Sequence, residues 1–285
     1  MLVRAFSQGE HMKLKKVYTK NADYQKFEVL KTNRNKRYRY GEFFVEGVRN
    51  LNEAIENGWE ISSFLYAPER GLSDWAKGLL KNVKTQVNYE LSTDLLAELS
   101  GKEDASELLA VVKMREDSLA PFLTVQKKDP LFVLFDRPSN RGNLGTLLRT
   151  CDAFGVDGLL LTGHGVDLYD PEVVGASMGS FFNVPAVRVQ TNEEVFAFMA
   201  QMREKHPGFL TVGTTAHKQH PIWGEDLTGP LLLMVGNETD GLCYAFKEAC
   251  DLLCTIPMAE TSSASSFNVA CAATAMLYEV IRQRA

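Results

Sequence analysis

No apolar run approaches the ~20 residues that would span a bilayer, and the amino terminus lacks the apolar core of a secretory leader. A cytoplasmic location with no membrane partner is therefore expected. Cysteine is scarce: Cys151, Cys243, Cys250, Cys254 and Cys271 make an odd number, with no C-x-x-C knuckle. These read as reduced, buried thiols, which excludes a disulfide frame, and no metal site is expected. Also missing are a G-x-x-x-x-G-K-[ST] loop and a G-x-G-x-x-G turn, whose nearest approach is Gly163-His164-Gly165. Those absences exclude ordinary P-loop NTPases and dinucleotide-binding Rossmann domains.

What is present is the composition of an average globular protein, 45% hydrophobic and 24% charged over 285 residues, long enough for about two domains. The net charge of −5 hides a local reversal. Ten bases fall between Lys13 and Arg39 against only Asp23 and Glu28, so this stretch carries +8 and the rest of the chain −13. Tyr18, Tyr24, Tyr38 and Tyr40 are interleaved with the bases, a pattern suited to phosphate neutralisation with stacking on unpaired nucleobases. Arg34, Lys36, Arg37 and Arg39 are the candidate RNA contacts; the alternative is a solvated surface.

Apolar spacing predicts a small α/β unit over residues 12–118, with strands at Phe43–Val45, Ser63–Tyr66 and Leu108–Lys113 and helices at Glu46–Asn57 and Leu91–Leu99. The first eleven residues show no periodicity and read as a leader or frayed tail. Residues 119–130, with Pro121 and Lys127-Lys128-Asp129-Pro130, read as a linker. From 131 to 285, buried-length strands (Leu131–Phe135, Gly158–Thr162, Phe209–Thr214, Leu231–Val235, Leu252–Ile256) alternate with helices, which implies a mainly parallel sheet covered on both faces. Asn192 is the expected cap of one helix, and Gly241–Cys250 and Ser266–Arg284 are expected to form two more.

In such sheets the site lies in loops at the carboxyl ends of strands. Three of these loops stand out: Asn143-Leu144-Gly145 running on to Arg149, Gly236-Asn237-Glu238-Thr239-Asp240-Gly241-Leu242, and Ile256-Pro257-Met258 followed by Ser266-Phe267-Asn268-Val269. Singly, each has a plain structural explanation; Ser266, for instance, suits a helix cap. Together and in this order they resemble the motifs N-x-G-x-x-x-R, G-N-E-x-x-G-L and I-P-M…S-L-N-V of the SPOUT superfamily, in particular the SpoU branch of RNA ribose 2′-O-methyltransferases. Phe267 stands where the family has leucine. Phe44-Val45-Glu46-Gly47 and Leu109-Ala110-Val111-Val112 resemble the L30-like substrate-binding domain that many members carry first.

The resemblance implies a trefoil-knotted parallel-sheet domain behind a smaller L30-like one, S-adenosyl-L-methionine (AdoMet) as cofactor, and a homodimer completed along the final helix, where Ala270, Ala272, Ala273, Leu277 and Ile281 are the candidate contacts. Thr214, Gly236, Ile256 and Phe267 are expected to line the AdoMet pocket. Asn143, Arg149, Glu238, Ser266 and Asn268 are expected to face the ribose, with Glu238 orienting Arg149 through a bidentate pair. The implied substrate is RNA, rRNA ahead of tRNA; a non-catalytic RNA-binding or ribosome-assembly protein of the same fold is the alternative. His217 and His220, three apart in a loop, could pair on a metal but suit a solvated loop better.

Overall fold

The computed structural model describes residues 13–100, 105–216 and 220–285, so the expected leader and His217 lie outside the described residues. The chain forms two compact units, with the break between Met114 and Arg115.

The first unit runs β1 (Lys13–Val17), α1 (Ala22–Thr32), α2 (Arg34–Tyr40), β2 (Glu42–Glu46), α3 (Val48–Glu56), β3 (Ile61–Tyr66), α4 (Asp74–Asn82), β4 (Val87–Leu91), α5 (Thr93–Ser100) and β5 (Leu108–Lys113). Its sheet has the order β1-β4-β3-β5-β2, with parallel pairings among β1, β4 and β3 and antiparallel ones from β3 through β5 to β2. Tyr24, Phe27 and Leu30 of α1 pack into a core with Phe44, Leu65, Leu96 and Leu109. Both basic helices begin at asparagine caps, because the side-chain oxygens of Asn21 and Asn33 accept the Tyr24 and Lys36 amide N–H groups. Hydrophobic periodicity does not reveal α2, since its buried side chain is Arg37.

The second unit opens with α6 (Ala120–Leu123), β6 (Leu131–Phe135), α7 (Arg141–Ala153), β7 (Gly158–Leu161), α8 (Pro171–Ala176), α9 (Ser180–Asn183) and β8 (Ala186–Arg188). It continues through α10 (Asn192–Lys205), β9 (Leu210–Thr214), β10 (His220–Pro221), β11 (Leu231–Val235), α11 (Tyr244–Ala249), β12 (Leu252–Thr255) and α12 (Val269–Arg284). All seven strands are parallel in the order β10-β12-β9-β11-β6-β7-β8, with every residue of β6 and β11 buried. This burial on both faces is why the strands read as continuous apolar runs.

Residues 119–130 are not a free linker: Phe122 is buried in the second core and stacks on Phe132 at 5.8 Å between ring centres. Three helix starts also differ from expectation. Thr191, not Asn192, caps α10. α11 begins only at Tyr244, because Asn237 and Gly241 exchange two backbone hydrogen bonds of 3.0 Å and close the intervening residues into a tight loop. Asn268, not Ser266, caps α12: its side-chain oxygen accepts the Ala270 and Cys271 N–H groups.

The motif glycines are explained by close approach. A Cβ at Gly145 would lie 2.5 Å from the Ala176 Cβ, so glycine is what lets α7 pack on α8. A Cβ at Gly236 would lie 2.0 Å from the Leu242 nitrogen, so the loop after β11 can fold back on itself only there.

Candidate active site

A cavity of about 360 Å³ opens where the chain leaves β9, β11 and β12. Thr214, Gly236, Ile256 and Phe267 all border it, as do Glu238 and Ser266. The wall is mixed: Val235, Leu242, Met258 and Met276 are apolar, and Thr215, Thr255 and the backbone of 236–242 are polar. That mixture and size suit a small-molecule pocket, which typically encloses ~300 to 1,000 Å³.

At the rim, residues of all three motifs are joined by hydrogen bonds. Glu238 accepts from the Asn143 side-chain amide at 3.1 Å, from the Ser139 N–H at 3.0 Å and hydroxyl at 2.7 Å, and from the Asn140 N–H at 3.1 Å. The Asn143 side-chain oxygen in turn accepts from the Asn268 amide at 3.0 Å. Burial pushes the Glu238 carboxyl pKa up, but the hydrogen bonds from Ser139 and Asn143 outweigh it and hold the group below its ordinary value. It is an anchored anion.

The expected pairing of Glu238 with Arg149 is absent. The carboxylate is fully engaged by Ser139, Asn140 and Asn143, and Arg149 is exposed on α7 with no side-chain partner among the described residues. Arg149, Asn143 and Asn268 do not border the cavity, whereas Ser266 does.

Sequence reasoning missed the residues that brace these loops. Asp136 is 1% exposed and accepts from the Thr162 hydroxyl at 2.8 Å and the Cys243 N–H at 2.8 Å. Arg137 donates to the Gly241 carbonyl at 3.0 Å and to Asp136 at 3.1 Å. The available signal was positional: an acid directly ending a fully apolar strand has no reason to be there unless several donors meet it. Asn140 could have been found as the residue three before Asn143, whose N–H it caps at 2.9 Å.

Along α12, Ala270, Ala273 and Leu277 are buried within the protomer, so three of the five expected interface contacts pack internally. Ala272 and Ile281 are half-buried, and the exposed stripe is instead Cys271, Ala275, Tyr278 and Arg282. His220 pairs with Glu225 at 2.9 Å, and among the described residues no three His, Cys, Asp or Glu side chains gather as a metal-binding group. Among the described residues no helix is long and apolar enough to cross a membrane.

In the first unit the basic run is largely engaged by the fold. Lys15, Lys16, Lys20 and Lys26 reach Asp23, Glu90, Glu98 and Glu42, and Lys31 donates to the Leu99 and Ser100 carbonyls. Arg37 departs from the expected RNA-contact set: it is 2% exposed and donates to the Leu30 and Lys31 carbonyls at 2.9 and 3.1 Å, tying off the end of α1. Arg34 lies over the Tyr38 ring, Lys36 is half-buried and Arg39 is exposed.

An all-parallel sheet whose carboxyl-end loops bring two of these motifs around one cavity, with the first hydrogen-bonded to both, defines a methyltransferase of the SPOUT class. The SpoU rRNA methylase family model matches residues 130–278, and the SpoU L30e-like domain model matches residues 21–110. The chain is 44% identical over 282 residues (98% of this chain, 96% of the relative) to a 23S rRNA (uridine(2479)-2′-O)-methyltransferase of Streptomyces viridochromogenes. It is 28% identical over 262 residues (92% and 96%) to the 23S rRNA (guanosine(2553)-2′-O)-methyltransferase RlmP of Bacillus subtilis. The crystal structure of the SpoU methyltransferase AviRb from Streptomyces viridochromogenes in complex with AdoMet superposes with a TM-score of 0.87 at 45% identity, covering 93% of this chain and 98% of that one. This chain belongs to the SpoU rRNA methylase family.

Proposed function

We propose that this protein transfers the methyl group of AdoMet to the 2′-hydroxyl of a ribose in the rRNA of the large ribosomal subunit. The observation that carries the reading is the hydrogen-bonded chain Glu238–Asn143–Asn268, which links the three motifs at the rim of a cavity of cofactor size. The names of two relatives that cover nearly the whole chain, both 23S rRNA 2′-O-methyltransferases, support rRNA over tRNA.

The cavity suits AdoMet in its chemistry. Leu242, Ile256, Met276 and Phe267 offer apolar surface to an adenine ring, and Thr214, Thr255 and the 236–241 backbone offer hydrogen-bonding groups to ribose and amino-acid ends. When bound, AdoMet supplies an electrophilic methyl group on a sulfonium, so no side chain need act as nucleophile. The protein's own task is alignment and charge. Glu238, held ionised by its donors, fixes Asn143, and Asn143 fixes Asn268 at the start of α12. Ser266, exposed at the cavity, orients the ribose and passes the 2′-hydroxyl proton to water.

Arg149 holds the neighbouring phosphate and steadies the developing oxyanion. A guanidinium, with a pKa above ~12, is a poor proton acceptor. The first unit supplies RNA affinity through Arg34, Lys36 and Arg39, without Arg37. The trefoil knot belongs to the same reading, supported by membership of the SpoU rRNA methylase family. So does a homodimer, supported by the exposed Cys271, Ala275, Tyr278 stripe; sedimentation should show twice the 31.8 kDa of one chain. A cytoplasmic location belongs to the same reading, supported by the bacterial rRNA methyltransferases among its relatives.

The test compares RNA from cells with and without the gene. One 2′-O-methyl mark in large-subunit rRNA should vanish with the gene and return when purified protein and AdoMet are added. A mark lost from tRNA instead would move the substrate; no lost mark, with AdoMet unbound, would leave the RNA-binding alternative.

A further inference from the structure

The cavity depends on a pair of residues that do not border it. Arg137 has φ +51°, the left-handed region in which a non-glycine side chain is strained. Strain there persists only where surrounding contacts over-determine it, and here they do. The guanidinium donates to the Gly241 carbonyl at 3.0 Å and to Asp136 at 3.1 Å, and it lies 3.8 Å from the Asp240 carboxylate. The Arg137 carbonyl, turned by that same backbone conformation, accepts from the Asn237 side chain at 2.6 Å. Asn237 then folds the loop's tip by accepting the Thr239 and Asp240 N–H groups at 2.8 and 3.2 Å. Asp136 holds the loop's far end through the Cys243 N–H and is itself held by Thr162 at the end of β7.

Thus two consecutive residues grip residues 237, 241 and 243 from one side, and residues 236–242 form a continuous wall of the cavity. We infer that Asp136 and Arg137 are positioning residues that set the shape of the Gly236–Leu242 wall, so that AdoMet affinity depends on a guanidinium that never touches the cofactor. The inference rests on the AdoMet reading above.

The backbone strain makes it separable from a merely structural role. Arg137→Gly removes the guanidinium but adopts positive φ at no cost, whereas Arg137→Lys keeps the strain and a charge but cannot span Gly241 and Asp136 together. Calorimetric titration of the full-length protein with AdoMet, without RNA, is paired with thermal unfolding of each variant. Both variants should bind AdoMet about tenfold or more weakly, the loss expected when hydrogen bonds to a charged group are removed. Their unfolding midpoints should move apart, with glycine the more stable of the two. Glycine binding within about twofold of wild type, or affinity that simply follows the unfolding midpoint across the two variants, would overturn the inference. Wild-type protein that fails to bind AdoMet would instead overturn the cofactor reading, whatever the variants do.

Discussion

The basic segment Lys13–Arg39 and the motif loops of the second unit are both polar stretches, and the fold treats them in opposite ways. In the first, charge is dense, yet much of it is met by the unit's own acids and carbonyls: four lysines pair with carboxylates, and Lys31 and Arg37 tie off backbone carbonyls. In the second, the carboxamides and Glu238 are locked to one another, and the cation in the first motif, Arg149, is left exposed. Density of charge in a sequence therefore overstates the surface offered to a polyanion. Fixed spacing of a few polar residues understates how tightly a site is organised.

The largest effect is expected at Asn143. Asn143→Ala cuts the chain between Glu238 and Asn268 without removing a group that borders the cavity. Single-turnover methylation should fall about a hundredfold, as for other small misplacements of reacting groups, while AdoMet affinity holds. Equal losses in rate and cofactor binding would show that the relay shapes the pocket instead.

Arg37→Ala should cost roughly 2 to 3 kcal/mol of stability in denaturant unfolding, since two charge-assisted hydrogen bonds to carbonyls are lost from a buried position. It should leave the salt dependence of RNA binding unchanged. Lys36→Ala and Arg39→Ala should do the reverse, each lowering the slope of log affinity against log salt by about 0.7 for a single-stranded site. A salt slope that responds to Arg37 alone would contradict the assignment of Arg37 to the fold and of Lys36 and Arg39 to RNA.

A smaller effect is expected at acid pH. Burial pushes the Glu42 carboxyl up, but Lys113, Lys26 and Ser62 together hold it below its ordinary value. A carboxylate with a depressed folded pKa contributes stability that is complete above the unfolded value of ~4.3 and is lost as pH falls through the folded one. The stability of the first unit should therefore decline with acid below about pH 4.5, and Glu42→Gln should flatten that limb in a pH series of thermal melts.

Much of this was legible in the sequence. The strands of the second unit are buried on both faces, so Leu131–Phe135 and Leu231–Val235 announce themselves as apolar runs, and Thr214, Gly236, Glu238, Ile256, Ser266 and Phe267, assigned to the site through the family resemblance, all border one cavity. What stayed hidden depends on contacts remote in the chain. Arg37 is a lone buried cation whose partners are backbone atoms of the preceding helix, and no side-chain pattern records them. Asp136 and Arg137 act on residues about a hundred positions later. Glu238 prefers Ser139 and Asn143 to Arg149 because those donors stand opposite it at the start of α7, whereas Arg149 lies two turns further on.

In the proposed reaction Glu238, Asn143 and Asn268 are bound to one another, and Arg149 holds the substrate without taking its proton. Single-turnover methylation of saturating rRNA by wild type, Arg149→Lys and Arg149→Ala, followed from about pH 6.5 to 10 across the lysine range, tests it directly. Lysine, lacking the planar fork, should be nearly as damaging as alanine at every pH, with AdoMet binding preserved. A lysine variant that recovers steeply as pH rises towards ~10 while alanine stays inactive would contradict it, because the residue would then be acting as the base.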